Sequence, residues 1–466
     1  MLFSSIPFLY YFLPSVLILY FIAPKKLKNT VLMLSSLVFY GWGEPKYVIL
    51  MIASIVIGYF SGILIEAFSQ KKISKVFLGI SVSVNLGFLA YFKYADFFIE
   101  NFNAVTGMSV SLLRIALPIG ISFYTFQILS YTIDVYRKNV AAQKNIINLA
   151  AYITMFPQLI AGPIVRYSDI AQQWEERTHS FEKFSKGMRR FVLGLGKKIL
   201  IANTLGELCD IFKASDDKSV LFYWLYAVAF GLHVYFDFSG YSDMAIGLGK
   251  IFGFEFNENF NYPFVSKSAT EFWRRWHMSL GTWFRDYVYI PLGGNRVSKP
   301  KWFFNIFVVW FLTGFWHGAA WNFIIWGLFF AVLLIIEKLL LLKYIDKSKV
   351  ISRIYTLVVI GISFVIFNAT DMKEAFSYIG GMFGASGTPL VSTEFFYYLK
   401  SFAVTLIIGV IGATPIVKKA VEKVFESTKA SRVIWILEPV GLVVLLAVMT
   451  AYLVDGSFNP FLYFRF

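Results

Sequence analysis

Four histidines occur in the 466-residue chain, at positions 179, 233, 277 and 317, and two of them stand in its densest clusters of aromatic and polar residues. His277 lies in Glu271-Phe-Trp-Arg-Arg-Trp-His277-Met-Ser-Leu. That segment runs on through Trp283-Phe-Arg285-Asp286 to the rigid turn Pro291-Leu-Gly-Gly-Asn-Arg296. His317 lies in Thr313-Gly-Phe-Trp316-His317-Gly-Ala-Ala-Trp321-Asn322. An imidazole takes up and returns a proton near neutral pH, which few other side chains in an apolar zone can do. No Ser-His-Asp arrangement and no Gly-x-Ser-x-Gly elbow accompanies these histidines. The pattern therefore favours direct transfer, with a histidine as general base on an acceptor hydroxyl, over a covalent acyl-serine. A lone histidine in an apolar setting is more often a satisfied buried group, and against that stands the rarity of histidine here. Asp237 or Asp243, in His233-Val-Tyr-Phe-Asp237-Phe-Ser-Gly-Tyr-Ser-Asp243, could orient or balance a histidine, and the sequence leaves open which. Arg275 and Arg285, the latter beside Asp286, could hold an anionic donor through bidentate guanidinium contacts.

The elements that must carry these residues are those of a membrane. Hydrophobic residues make up 58% of the chain and charged residues 15%, against about 45–50% and about 25% in ordinary soluble domains. The expected fold class is an all-α polytopic membrane protein forming one integral domain over residues 1–466, without internal repeats. The net charge of +15 fits lysines and arginines in inner loops rather than nucleic-acid binding. A single cysteine, Cys209, excludes an internal disulfide framework, and no Cys/His spacing suggests a metal. Polar residues kept inside such a protein mark function by default.

Apolar runs at 6–23, 30–42, 46–68 and 76–94 alternate with the basic loops Pro24–Lys28 and Gln70–Lys75, which places the N-terminus extracytoplasmic. Residues 109–136, with Pro118, Gly120 and Gln127, and residues 146–167, with Pro157, Gly162 and Pro163, read as broken or re-entrant helices facing an interior cavity. Residues 168–190 read as a cytoplasmic loop in which His179 is solvated, followed by a helix over 187–206 carrying Lys197 and Lys198. A span over 219–236 ends at the acidic segment, and 271–287 read as an amphipathic helix at the interface or dipping into the protein. Apolar runs at 303–315, 318–342, 351–369, 395–413 and 433–454 complete the chain. They place the C-terminus extracytoplasmic, with an aromatic tail at 459–466 folded onto the interface.

The segments at 271–280, 283–296 and 316–319 resemble the membrane-bound O-acyltransferase (MBOAT) family. Together with Tyr235-Phe-Asp237-Phe-Ser-Gly-Tyr-Ser-Asp243, Gln158-Leu-Ile-Ala-Gly-Pro-Ile and Pro460-Phe-Leu-Tyr-Phe, they resemble its bacterial alginate and peptidoglycan O-acetyltransferase branch in particular. The D-alanyl transferases of teichoic acid are more distant. The resemblance covers essentially the whole chain. It implies a ring of about 11–13 transmembrane helices, with re-entrant or interfacial helices, around a central tunnel. It implies His317 as catalytic base and His277 as the second catalytic position. The donor would be acetyl-CoA, a substrate rather than a resident cofactor. The acetyl group would cross the bacterial cytoplasmic membrane to an exported or cell-envelope polysaccharide, through a separate extracytoplasmic SGNH-type transferase. Arg275, Arg285, Asp286, Trp316, Asn322, Asp237, Asp243 and Gln127 are then candidates for donor or substrate binding, with 271–296 as the entrance and donor cradle. Three rivals remain: D-alanyl transfer to teichoic acid, a flippase or transporter of a lipid-linked precursor, and a non-catalytic scaffold.

Overall fold

The computed structural model describes residues 1–345, 347–425, 428–456 and 461–462. Its longer helices are α1 (Phe8–Ile22), α2 (Lys28–Gly43), α3 (Val48–Ala67), α4 (Ile73–Thr106), α5 (Ile121–Tyr136), α6 (Ile146–Thr154), α7 (Phe181–Gly196), α8 (Asn203–Ala214) and α9 (Val220–Ile251). After them come α10 (Ala269–Arg275), α11 (Met278–Phe284), α12 (Lys299–His317), α13 (Trp321–Ile345), α14 (Lys349–Asn368), α15 (Met372–Met382), α16 (Thr393–Ser401), α17 (Ala403–Gly412), α18 (Ile416–Phe425) and α19 (Thr428–Asp455). The protein is an all-α polytopic membrane protein. Among the described residues, 6 helices are long and apolar enough to cross a bilayer: α3, α4, α9, α13, α14 and the 436–455 part of α19. The pair α16 and α17, bent by 62°, would bring the number to 7. The expectation of 11–13 spans counts further segments, such as α2 and α5 at 16 residues each, that are too short to span alone.

The chain forms two compact units, residues 1–191 with 242–257 and residues 192–241 with 258–466. In the first, α3 lies close against α5 because glycines face it: a Cβ on Gly58 would sit 3.0 Å from Ile128, and one on Gly62 2.6 Å from the Tyr131 hydroxyl. The broken backbone expected around 109–136 is present. Residues 107–120 are not helical, and α5 starts at Gly120, whose φ of 75° suits glycine and whose Cβ would collide with the Leu159 carbonyl at 2.7 Å. Helix α5 is almost wholly buried, and two of its polar side chains bond its own backbone, Ser130 Oγ to Gln127 O at 2.9 Å and Thr132 Oγ1 to Ile128 O at 3.1 Å. His179 is exposed, as a loop residue should be, yet its Nε2 lies 2.9 Å from the Tyr20 hydroxyl.

Among the helix boundaries that differ from the sequence reading, two bear on the site. Helix α9 does not end near residue 236; it runs for 32 residues through Asp237 and Asp243. Its acids are paired with cations instead of breaking the helix, and Gly240 lets the Gly194 carbonyl approach to where a Cβ would be only 2.7 Å away. The segment 271–287 is not one amphipathic helix. It is α10 and α11, broken at His277, whose φ of 45° is left-handed. Of the aromatic tail, only Phe461 and Leu462 fall within the described residues.

Candidate active site

In the second unit, α12 and α13 form an antiparallel pair. Gly314 and Gly327 meet at their crossing: a Cβ on Gly314 would stand 2.3 Å from the Phe323 carbonyl, and one on Gly327 2.3 Å from the Trp310 carbonyl. Small residues let helix backbones approach this closely inside a membrane protein. The short connection Gly318–Ala320 begins where α12 ends, at His317. Gly318 is required for space, since a Cβ there would stand 2.3 Å from the Phe323 ring.

The buried His317 ring meets Trp326 edge-on at 5.2 Å and 88°, and Phe367 at 5.3 Å and 84°. Asn322 holds this wall in place. Its Nδ2 donates to Ala369 O at 2.9 Å and Phe367 O at 3.3 Å, tying the start of α13 to the end of α14. His317 also lines a narrow cavity with Asp237, Trp276, Trp326, Phe364, Phe367 and Leu462 among its walls. The ring stands at the carbonyl end of the 19-residue α12.

His277 stands in the opposite electrostatic setting, as the N-cap of α11. Its Nδ1 lies 3.1 Å from Asn259 Oδ1, and the Ser279 backbone N–H (3.3 Å) and hydroxyl (2.9 Å) donate to the same oxygen. A backbone N–H can only donate, so the amide atom there is the oxygen, which Nδ1 meets when it carries the ring proton; the Ser279 hydroxyl also lies 3.4 Å from Nδ1. Nε2 is then a bare acceptor, and it is buried without a hydrogen-bond partner. Burial, with a smaller contribution from the nearby His317, holds the His277 pKa well below its ordinary 6.5. Trp316 lies between the two histidines, its ring 6.1 Å from that of His277 and 5.0 Å from that of His317.

The helix that delivers His277 is fixed from a distance. The Glu337 carboxylate, fully buried, accepts from Ala269 N (2.6 Å), Thr270 N (2.9 Å) and the Thr270 hydroxyl (2.7 Å), capping α10. Ser268 Oγ accepts from Glu271 N at 3.0 Å and completes the cap. Glu337 and Asn259 escaped the sequence reading. A lone carboxylate within the apolar run 318–342 was the available signal for Glu337; Asn259 had none.

The remaining candidates divide. Asp237 lines the cavity and is bonded to no catalytic histidine: Lys198 Nζ lies 2.5 Å from one oxygen and Leu462 N donates to the other at 2.9 Å, while its charge acts on His233. Asp243 belongs to the first unit, held by Arg190 at 2.8 Å, and Gln127 is buried there on α5. Arg275 pairs with Glu271 at 2.8 Å and donates to Asn261 O at 3.1 Å. Arg285, with an exposed side chain, pairs with Asp286 at 2.7 Å.

The family model described as MBOAT, membrane-bound O-acyltransferase family, matches residues 82–380. The chain belongs to this family. His277, His317, Trp316, Asn322 and Glu337 all fall within the matched MBOAT residues. Over its whole length the chain is 38% identical to a probable alginate O-acetylase AlgI of Azotobacter vinelandii, all of which is covered. It is 31% identical to a peptidoglycan O-acetyltransferase of Helicobacter pylori, covering 100% of this chain and 98% of that one. A teichoic acid D-alanyltransferase of Bacillus subtilis is 32% identical over 46% of this chain and 58% of its own. The protein is an MBOAT O-acyltransferase.

Proposed function

We propose that this enzyme transfers an acetyl group from acetyl-CoA to an acceptor hydroxyl, for the O-acetylation of a cell-envelope or exported polysaccharide. The observation that carries the division of labour is the placement of two buried histidines at helix ends of opposite polarity, His317 at a C-terminus and His277 at an N-terminus. His317 is the general base. It accepts the proton of the attacking hydroxyl as the new C–O bond forms at the thioester carbonyl; the C–S bond breaks, and His317 returns the proton to the departing thiolate. The carbonyl end of α12 stabilises the imidazolium between these steps. His277 stays neutral, and its bare Nε2 accepts a hydrogen bond that orients the incoming hydroxyl.

A narrow cavity stands beside His317, and the two full-length relatives bear names of O-acetyl transfer. Arg285, whose exposed guanidinium pairs with Asp286, meets the anionic part of the donor. A separate extracytoplasmic SGNH-type transferase carries the acetyl group onward to the polysaccharide, with both termini of this chain extracytoplasmic in the bacterial cytoplasmic membrane. The test is made in cells. Deleting the gene should strip O-acetyl groups from the polysaccharide, wild type should restore them, and His317→Ala should not. Restoration by His317→Ala would reject the assignment.

A further inference from the structure

Asp237 is among the most buried acids of the second unit, at 1% exposure, and its carboxylate is divided between two tasks. One oxygen lies 2.5 Å from Lys198 Nζ, itself buried. The other accepts the backbone N–H of Leu462 at 2.9 Å, joining α9 to a residue 225 positions later. Phe461 reinforces the contact, its ring 5.0 Å from Tyr241 and 5.8 Å from Phe238. Leu462 is thereby held by its main chain, and its side chain is free to serve as a surface. That surface closes the cavity in which His317, Trp326, Phe364 and Phe367 also stand. A buried ion pair is seldom a net source of stability, and it can be retained because it fixes one arrangement. Here the arrangement fixed is the position of Leu462 in the wall beside the catalytic base.

We propose that Leu462 sets the size of the acyl group admitted beside His317, and that Lys198 and Asp237 are positioning residues that clamp it there. The inference rests on the acetyl-transfer reading above. With Leu462 in place, a two-carbon acyl group meets the isobutyl side chain; a butyryl group would need the space that side chain fills. Truncating Leu462 opens that space, and removing the acceptor oxygen of Asp237 releases Leu462 with the same consequence.

The test uses the full-length protein in phospholipid vesicles, with the SGNH-type partner and an acceptor polysaccharide present, and measures initial rates of thiol release from acetyl-CoA and butyryl-CoA. Leu462→Ala should raise the butyryl-to-acetyl rate ratio by roughly tenfold or more, the scale on which hydrophobic pockets discriminate added methylenes. Two paired substitutions separate clamping from folding, since both remove the buried charges together. Asp237→Asn with Lys198→Met keeps an oxygen for the Leu462 N–H and should retain the wild-type ratio. Asp237→Leu with Lys198→Met lacks it and should shift the ratio as Leu462→Ala does. An unchanged ratio in Leu462→Ala and in the Leu/Met pair, with wild type active on acetyl-CoA, would overturn the size-setting role and leave acetyl transfer standing. Absence of thiol release by wild type from either thioester would overturn both.

Discussion

His317 and His277 are two imidazoles in one unit with opposite electrostatic instructions, and their separate replacement should produce different losses. His317→Ala removes the base and should lower kcat by about 10²–10⁴-fold, the usual worth of general base assistance, with the thermal unfolding midpoint close to wild type. His277 has a consequence for stability as well. Its folded pKa lies below the 6.5 of an ordinary histidine because burial refuses the charge. As pH falls below 6.5 the unfolded chain takes up a proton that the folded chain does not, so this residue's contribution to stability is present above that pH and lost below it. His277→Asn should flatten the decline of the melting temperature between pH 6.5 and lower pH; an equally steep decline would mean that the ring is not the group responsible. The candidacy of both histidines was legible in the sequence, because histidine is scarce here and both stand among tryptophans. Their protonation states were not legible. They depend on Asn259, 18 residues before His277, and on the helix polarity at each end.

At the scale of elements, the site is held by two long-range devices. The first is the glycine contact between α12 and α13. Gly314→Val places methyl groups where a carbonyl already stands 2.3 Å from the Cβ position. It should cost roughly 1–3 kcal/mol or more, seen as a lower unfolding midpoint in detergent together with lost activity. The second is the Glu337 cap on α10. Glu337→Ala leaves buried backbone donors of α10 unpaired, at roughly 1–3 kcal/mol each, and loosens the helix that ends at His277. Glu337→Gln keeps one acceptor oxygen and should retain more of kcat; equal activity in both variants would show that α10 is held otherwise. Periodicity disclosed the apolar helices α3, α13 and α14 to within a few residues, since a span is written in consecutive apolar residues. The division of 271–287 at His277 was not disclosed. A left-handed residue between two short helices is stabilised by contacts to Asn259 and Glu337 that lie outside the segment. The same holds for α9, whose acids at 237 and 243 looked like a helix end until Lys198 and Arg190 were seen to pair with them.

For the whole molecule, the sequence patterns carried the fold class and the family, both of which depend on long stretches of residues. Composition announced a polytopic membrane protein, and the segments 271–296 and 313–322 announced an O-acyltransferase. The interior polar pairs did not show themselves, because each joins residues far apart in the chain. The central claim is that this membrane protein performs acyl-thioester chemistry with His317 as base, in place of moving a lipid-linked precursor or merely recruiting a partner. The most direct measurement is consumption of acetyl-CoA by the purified full-length protein in vesicles, wild type beside His317→Ala, with the SGNH-type partner and an acceptor polysaccharide present. The account predicts that wild type releases CoA in step with acetyl ester formation, and that His317→Ala does so at least about 100-fold more slowly. Equal consumption by the two proteins, or intact acetyl-CoA with both, would contradict it.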